Sequence, residues 1–345
     1  MTLSTNSEVP DAYRSQTTSI DARLLQCPNC QGRLEETMAN LFCQLCGEEW
    51  PIVDGVPHFG GTDYRSHVLT VAQRRQIAQT AAAKGWKVAL HDLLRSINPT
   101  VYRQAIDEYR AQWRFVAPLT ANSRVLDLSC GWGAAAFNLA ESSALVAAAD
   151  ASSAQARFVA LRAQQTGQDN IISVQLGLDQ RLPFATGYFD AVVLVDALSR
   201  VKDTELQRLV LRRIRAVLRP GGSLFLADIN RLSAARLATW SIEGNPHTLG
   251  GYQRLLQSAG FRDLRVYSPA PSHLEPFFMI PLDRQKPLAY FLREIVGAQD
   301  FQFHLRQRGL GALVHLIRMV VRWTPADLAA TLARPFVPSM AILAR

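Results

Sequence analysis

Between Arg124 and Tyr267 short apolar runs alternate with amphipathic ones, and this rhythm constrains the fold more than any other feature. Val125–Leu128, Ala144–Ala149, Ile171–Leu176, Phe189–Val195 and Ser223–Ala227 are short and apolar. Ala134–Ala140, Ala154–Gln165, Glu205–Leu218 and Tyr252–Ala259 have helical spacing, the last two stopped by Pro220-Gly221-Gly222 and Gly260. Strands and helices in this order predict a parallel sheet covered on both faces. Arg262–Tyr267 then makes a sixth strand and Ser339–Ala344 an antiparallel seventh. The hydrophobic share of 48% and charged share of 19% suit a packed globular chain.

In an open parallel sheet, ligands bind beyond the carboxyl ends of the strands. The first strand ends in Asp127-Leu128-Ser129-Cys130-Gly131-Trp132-Gly133. Its glycines let the backbone approach a ligand closely. Asp127 is placed to anchor an amino group, and Asp150, ending the second strand, to bond ribose hydroxyls. A dinucleotide-binding loop has a similar layout with three glycines. Here Ala136 holds the third place, and the Asp-x-x-Cys before the loop fits that fingerprint poorly.

These motifs resemble those of class I S-adenosylmethionine-dependent methyltransferases over residues 118–268. Val125 to Gly133 resembles the family's first motif and Ala149-Asp150-Ala151-Ser152 its second. Leu182-Pro183-Phe184 through Val193 resembles the approach to the fourth strand, and Leu218-Arg219-Pro220-Gly221-Gly222 the turn before the fifth. The resemblance implies a Rossmann-like α/β fold with a seven-stranded sheet. It also implies an S-adenosylmethionine site formed by Asp127, Leu128, Ser129, Cys130, Gly131, Gly133, Asp150, Ala151, Leu178, Asp179 and Asp196. Two departures stand out. The acid near the adenine, Asp179, lies one place later than in the family pattern. Arg200 stands where the family often has a His.

Cys27-Pro-Asn-Cys30 and Cys43-Gln-Leu-Cys46 are two Cys-x-x-Cys knuckles. Two such knuckles complete a tetrahedral site of four thiolates, which predicts one structural zinc per chain. Cys27 to Phe59, with Trp50-Pro51-Ile52-Val53-Asp54-Gly55-Val56-Pro57, resembles the small Trm112-like zinc ribbon. That resemblance implies a stabilising or substrate-presenting role beside a methyltransferase.

The expected organisation is a tail at 1–22, a zinc ribbon at 23–60, a helical linker at 61–117 and the catalytic domain at 118–345. Within the last, residues 270–337 form a helical insertion on the cofactor side. Its run Leu310–Trp323 has apolar residues at helical spacing, fitting a core helix or an interfacial one touching membrane. Methyl transfer needs an aligned nucleophile and, for a hydroxyl, a general base. Asp196, Asp228, and His247 or His273 in the flanking loops, are the candidates.

No Asn/Asp-Pro-Pro-Tyr segment follows the fourth strand, which disfavours adenine N6 methylation. Cys130, the sole cysteine outside the ribbon, lies in the cofactor loop, which disfavours covalent C5-pyrimidine chemistry. The preferred reading is O- or N-directed methylation of a small-molecule, glycan or lipid-precursor acceptor. The net charge of +8 keeps an RNA methyltransferase as the alternative; a non-catalytic partner protein is a third reading. No secretory leader or membrane-spanning run is seen, so a cytoplasmic location is expected.

Overall fold

A computed structural model of the chain describes residues 24–64, 69–107, 111–233, 244–296 and 325–345. The expected tail at 1–22 and the helix near 310–323 lie outside the described residues.

The main sheet has eight strands in the order β11-β10-β12-β9-β8-β5-β6-β7. Five are mutually parallel: β5 (Arg124–Leu128), β6 (Leu145–Asp150), β7 (Ile171–Gln175), β8 (Phe189–Val195) and β9 (Leu218–Ile229). β12 (Ser339–Ala344) inserts antiparallel between β9 and β10 (Leu264–Pro271). All seven expected strands are therefore present. An eighth, β11 (Pro276–Pro281), folds back on β10 and begins the segment expected as a helical insertion. The apolar aromatic run Phe277-Phe278-Met279-Ile280 suits an edge strand, with prolines at its two ends where no ladder donor is needed.

The central strands are buried on both faces, so their sequences are apolar runs without alternation. Period-2 geometry still divides them. Leu126, Leu194 and Leu226 pack with Leu211, Ile214 and Tyr252 from α6 (Thr204–Val217) and α7 (Leu249–Ser258). Val125, Val193 and Phe225 face the other way, toward Leu139 of α4 (Ala134–Ala140), Val159 of α5 (Ser153–Thr166) and Trp113. Trp113 stacks on Phe225 with ring centroids 4.2 Å apart.

The segment expected as a helical linker forms a third layer. α1 (Val71–Lys84) packs on α5, followed by α2 (86–97) and α3 (Pro99–Ile106). Thr70 caps α1 in a reciprocal box with Gln73, and Asn98 caps α3 ahead of Pro99. Ile77, Ala81, Leu90, Leu94 and Tyr102 bury against Phe158, Leu161 and Trp132, roofing the strand ends.

The cysteine segment forms its own four-stranded sheet, β1 (Leu34–Glu36), β2 (Asn40–Cys43), β3 (Glu49–Val53) and β4 (Val56–Pro57). It does not swing free. Gln26 N–H donates to Pro183 C=O at 3.0 Å, Ala185 N–H to Leu24 C=O at 3.0 Å, and Phe59 N–H to Gln175 C=O at 2.9 Å. Leu24, Leu25 and Phe59 share one apolar core with Leu176, Leu178 and Phe184.

Candidate active site

The loop after β5 adopts three left-handed residues in five positions: Ser129 (φ 72°), Gly131 (φ 59°) and Gly133 (φ 82°). At Gly133 a Cβ would lie 3.1 Å from both Phe137 and Val159, so the first turn of α4 depends on glycine. Ser129 and Cys130 N–H groups donate to Ala149 C=O at 2.7 and 3.0 Å. Asp150 accepts from Gly131 N–H at 2.8 Å and from Ser152 N–H at 2.9 Å. One carboxylate thus fixes the glycine loop to the start of α5.

Two cavities border this loop. A narrow one is bounded by Ser129, Asp150, Ala151, Leu176, Leu178 and Ala197, with Thr62, Asp63 and Tyr64 across from the ribbon's exit strap. The second, of about 300 Å³, is bounded by Cys130, Gly131, Trp132 and Asp196 below and by Arg74, Asn98, Thr100 and Gln104 from α1 and α3. Arg200 borders both. Ser129, Asp150, Ala151 and Leu178 therefore line the narrow cavity, while Cys130, Gly131 and Asp196 line the larger one. Asp127 and Leu128 lie buried beneath, at the end of β5.

Asp179 has a different set of contacts. Its Oδ1 accepts from Thr62 N–H at 2.8 Å and its Oδ2 from the Thr62 hydroxyl at 2.7 Å. The acid one place out of register with the family pattern holds the strap that walls the narrow cavity.

Asp196 follows β8 in a left-handed conformation, φ 54°, a strained state for a non-glycine residue. Its Oδ2 accepts from Arg200 Nη2 at 2.7 Å, and its backbone carbonyl from Arg200 Nε at 3.1 Å. His273 Nε2 lies 3.4 Å from its Oδ1. Asp228, fully buried at the end of β9, accepts from the backbone N–H groups of Ser199 and Ile229, each at 2.8 Å. Burial, helped by the nearby charge of Asp196, pushes the Asp228 carboxyl upward. Ligand atoms of Asp196, Asp228 and His273 all lie within 4.8 Å of one another. Arg200 pairs with the same Asp196 carboxylate at 2.7 Å. His273 arrives from the β10–β11 turn, far along the chain, and no local motif marks it.

His247 belongs to another network. Its Nε2 lies 2.6 Å from Gln207 Oε1, its ring packs edge-on to Tyr252, and it borders neither cavity. Burial lowers its pKa and keeps it neutral.

In the ribbon, the Sγ atoms of Cys27 and Cys46 are 3.6 Å apart and those of Cys30 and Cys43 3.4 Å, all four within 4.8 Å of one another. A tetrahedral zinc with Zn–S of about 2.3 Å needs sulfurs about 3.8 Å apart, which this cluster matches. Gly32 is required there: a Cβ would come 3.0 Å from Cys43 Sγ and 2.9 Å from Leu45 Cβ.

Residues 125–222 match the family model of a methyltransferase domain. Over 115 residues the chain is 32% identical to a ubiquinone biosynthesis O-methyltransferase of Xanthomonas axonopodis pv. citri, covering 33% of this chain and 46% of that one. Over 123 residues it is 36% identical to a 2-phytyl-1,4-naphtoquinone methyltransferase of Synechococcus elongatus, covering 35% of this chain and 50% of that one. The matches thus span about half the length of these curated relatives. Among solved structures, a phosphoethanolamine N-methyltransferase of Haemonchus contortus is similar with a TM-score of 0.45 and 16% identity, over 79% of this chain and 59% of that one. Residues 125–222 are thus similar to a methyltransferase domain.

Proposed function

We propose that this chain is an S-adenosylmethionine-dependent methyltransferase acting on the hydroxyl of a small-molecule acceptor. The observation that supports this most is Asp196. It borders the larger cavity in a strained conformation, with His273 and Arg200 on its carboxylate, and Arg200 borders both cavities. The narrow cavity suits the nucleoside, with Asp150 available to ribose hydroxyls and Leu178 to the adenine. The glycine loop suits the methionine end, and the rest of the larger cavity suits the acceptor.

S-adenosylmethionine, when bound, supplies an electrophilic methyl for in-line displacement. The chain's own residues align the acceptor oxygen and exclude water under the roof of α1 and α3. Asp196 takes the hydroxyl proton, with His273 able to share it. The relative named a ubiquinone biosynthesis O-methyltransferase supports a hydroxyl on a quinone-type small molecule as the acceptor. We infer a structural zinc in the four-cysteine cluster, holding the ribbon against Leu176, Leu178 and the strap. Transfer of labelled methyl from S-adenosylmethionine into extract fractions tests this reading. Label should enter the small-molecule pool and fall about 100-fold or more with Asp196→Asn. Label confined to RNA would overturn it.

A further inference from the structure

Arg74 lies at the end of the first turn of α1, is only 3% exposed, and borders the larger cavity together with Cys130, Gly131 and Trp132. Its Nη1 donates to Asp63 in a close ion pair. Its Nε and Nη2 are buried and have no hydrogen-bond partner among the described residues. These two nitrogens form one edge of the planar guanidinium, with parallel N–H bonds. That edge is the one that grips a carboxylate with two hydrogen bonds. Leaving two charged donors buried and unpaired is costly, so the edge calls for an anion.

Resting on the proposed cofactor reading, we propose that Arg74 is the carboxylate clamp of the site and receives the methionine carboxylate of S-adenosylmethionine. Arg74 and the glycine loop border the same cavity, so a ligand along Gly131 brings its amino-acid end to this wall. Asp63 fixes the fork by holding Nη1, and Asp63 also borders the narrow cavity. One arginine–aspartate pair therefore joins the nucleoside and amino-acid halves of the site. The same fork fits a carboxylate on the acceptor, and the experiment separates the two sources.

The full chain and its Arg74→Gln variant are titrated calorimetrically with S-adenosylhomocysteine and with its decarboxylated analogue. The wild type should prefer the carboxylated ligand by about 10- to 100-fold, as for a charged hydrogen-bonded pair. Arg74→Gln should abolish that preference by weakening S-adenosylhomocysteine alone. Unchanged binding of the analogue shows that the variant is folded. Arg74→Lys, a point charge without a fork, should recover only part of the preference. Equal weakening of both ligands, or an intact preference in Arg74→Gln, would overturn the assignment and leave the cofactor reading standing. Failure of the wild type to bind either ligand would remove the cofactor reading, and this clamp with it.

Discussion

Gly60 and Gly61 both have positive φ, 77° and 108°, yet the strap predicts opposite outcomes for an added methyl group. At Gly60 nothing lies within 4 Å of a Cβ, so Gly60→Ala adds only backbone strain, about 1 kcal/mol. At Gly61 a Cβ would sit 2.6 Å from Gly177 Cα and 2.7 Å from Gly177 N. Backbone cannot step aside as a flexible side chain can, so the strap must lift. Lifting it breaks the Gly177 N–H bond to Gly60 C=O, 2.8 Å, and both Thr62 bonds to Asp179. At about 1 kcal/mol for each bond, Gly61→Ala should cost about 3 kcal/mol beyond the strain, against about 1 kcal/mol for Gly60→Ala. Thermal unfolding of both variants measures the difference. Since Thr62, Asp63 and Tyr64 wall the narrow cavity, titration with S-adenosylhomocysteine should show a loss of about tenfold or more for Gly61→Ala only. Equal melting temperatures and affinities for the two variants would refute the strap's role.

Zinc analysis of the purified chain should give about one ion per chain. Its chelation should lower both the melting temperature and the affinity for S-adenosylhomocysteine, because the ribbon shares its core with Leu176 and Leu178; a metal-free chain unchanged in both would contradict this. His247→Gln should leave methyl transfer unchanged and cost about 1 kcal/mol of stability through the lost Gln207 bond, read by denaturant titration. A large rate loss with normal stability would return His247 to the chemistry. The raised carboxyl of Asp228 means the folded state binds a proton the unfolded chain releases, so its contribution falls as pH rises above about 4. Melting of the wild type and Asp228→Asn from about pH 4 upward should therefore diverge in the variant's favour until the folded-state carboxyl has ionised. A constant difference would refute it.

The parallel sheet was legible because its strands are continuous apolar runs and its helices carry their own caps and stops. The glycine loop and Asp150 were legible for a related reason: their contacts, such as Gly131 to Asp150, join adjacent strand ends. The cysteine cluster was equally local, since each knuckle brings two ligands by itself. The contacts that escaped sequence reading are long-range. Arg74 reaches the site because α1 packs on α5, a pairing no pattern in either helix specifies. His273 reaches Asp196 because β10 and β11 form a hairpin at the sheet edge, where the Pro-rich run Pro269 to Pro281 masked a strand. Asp179 had the expected type near the expected place, yet its one-residue offset turns it toward Thr62. His247 had suitable chemistry and no means of showing, from sequence, that Gln207 engages it.

Calorimetric titration of S-adenosylhomocysteine into the chain, repeated with Asp127→Ala, tests cofactor binding itself. The wild type should show one site per chain, and the variant should lose binding. A folded wild-type chain that takes up no ligand would contradict it.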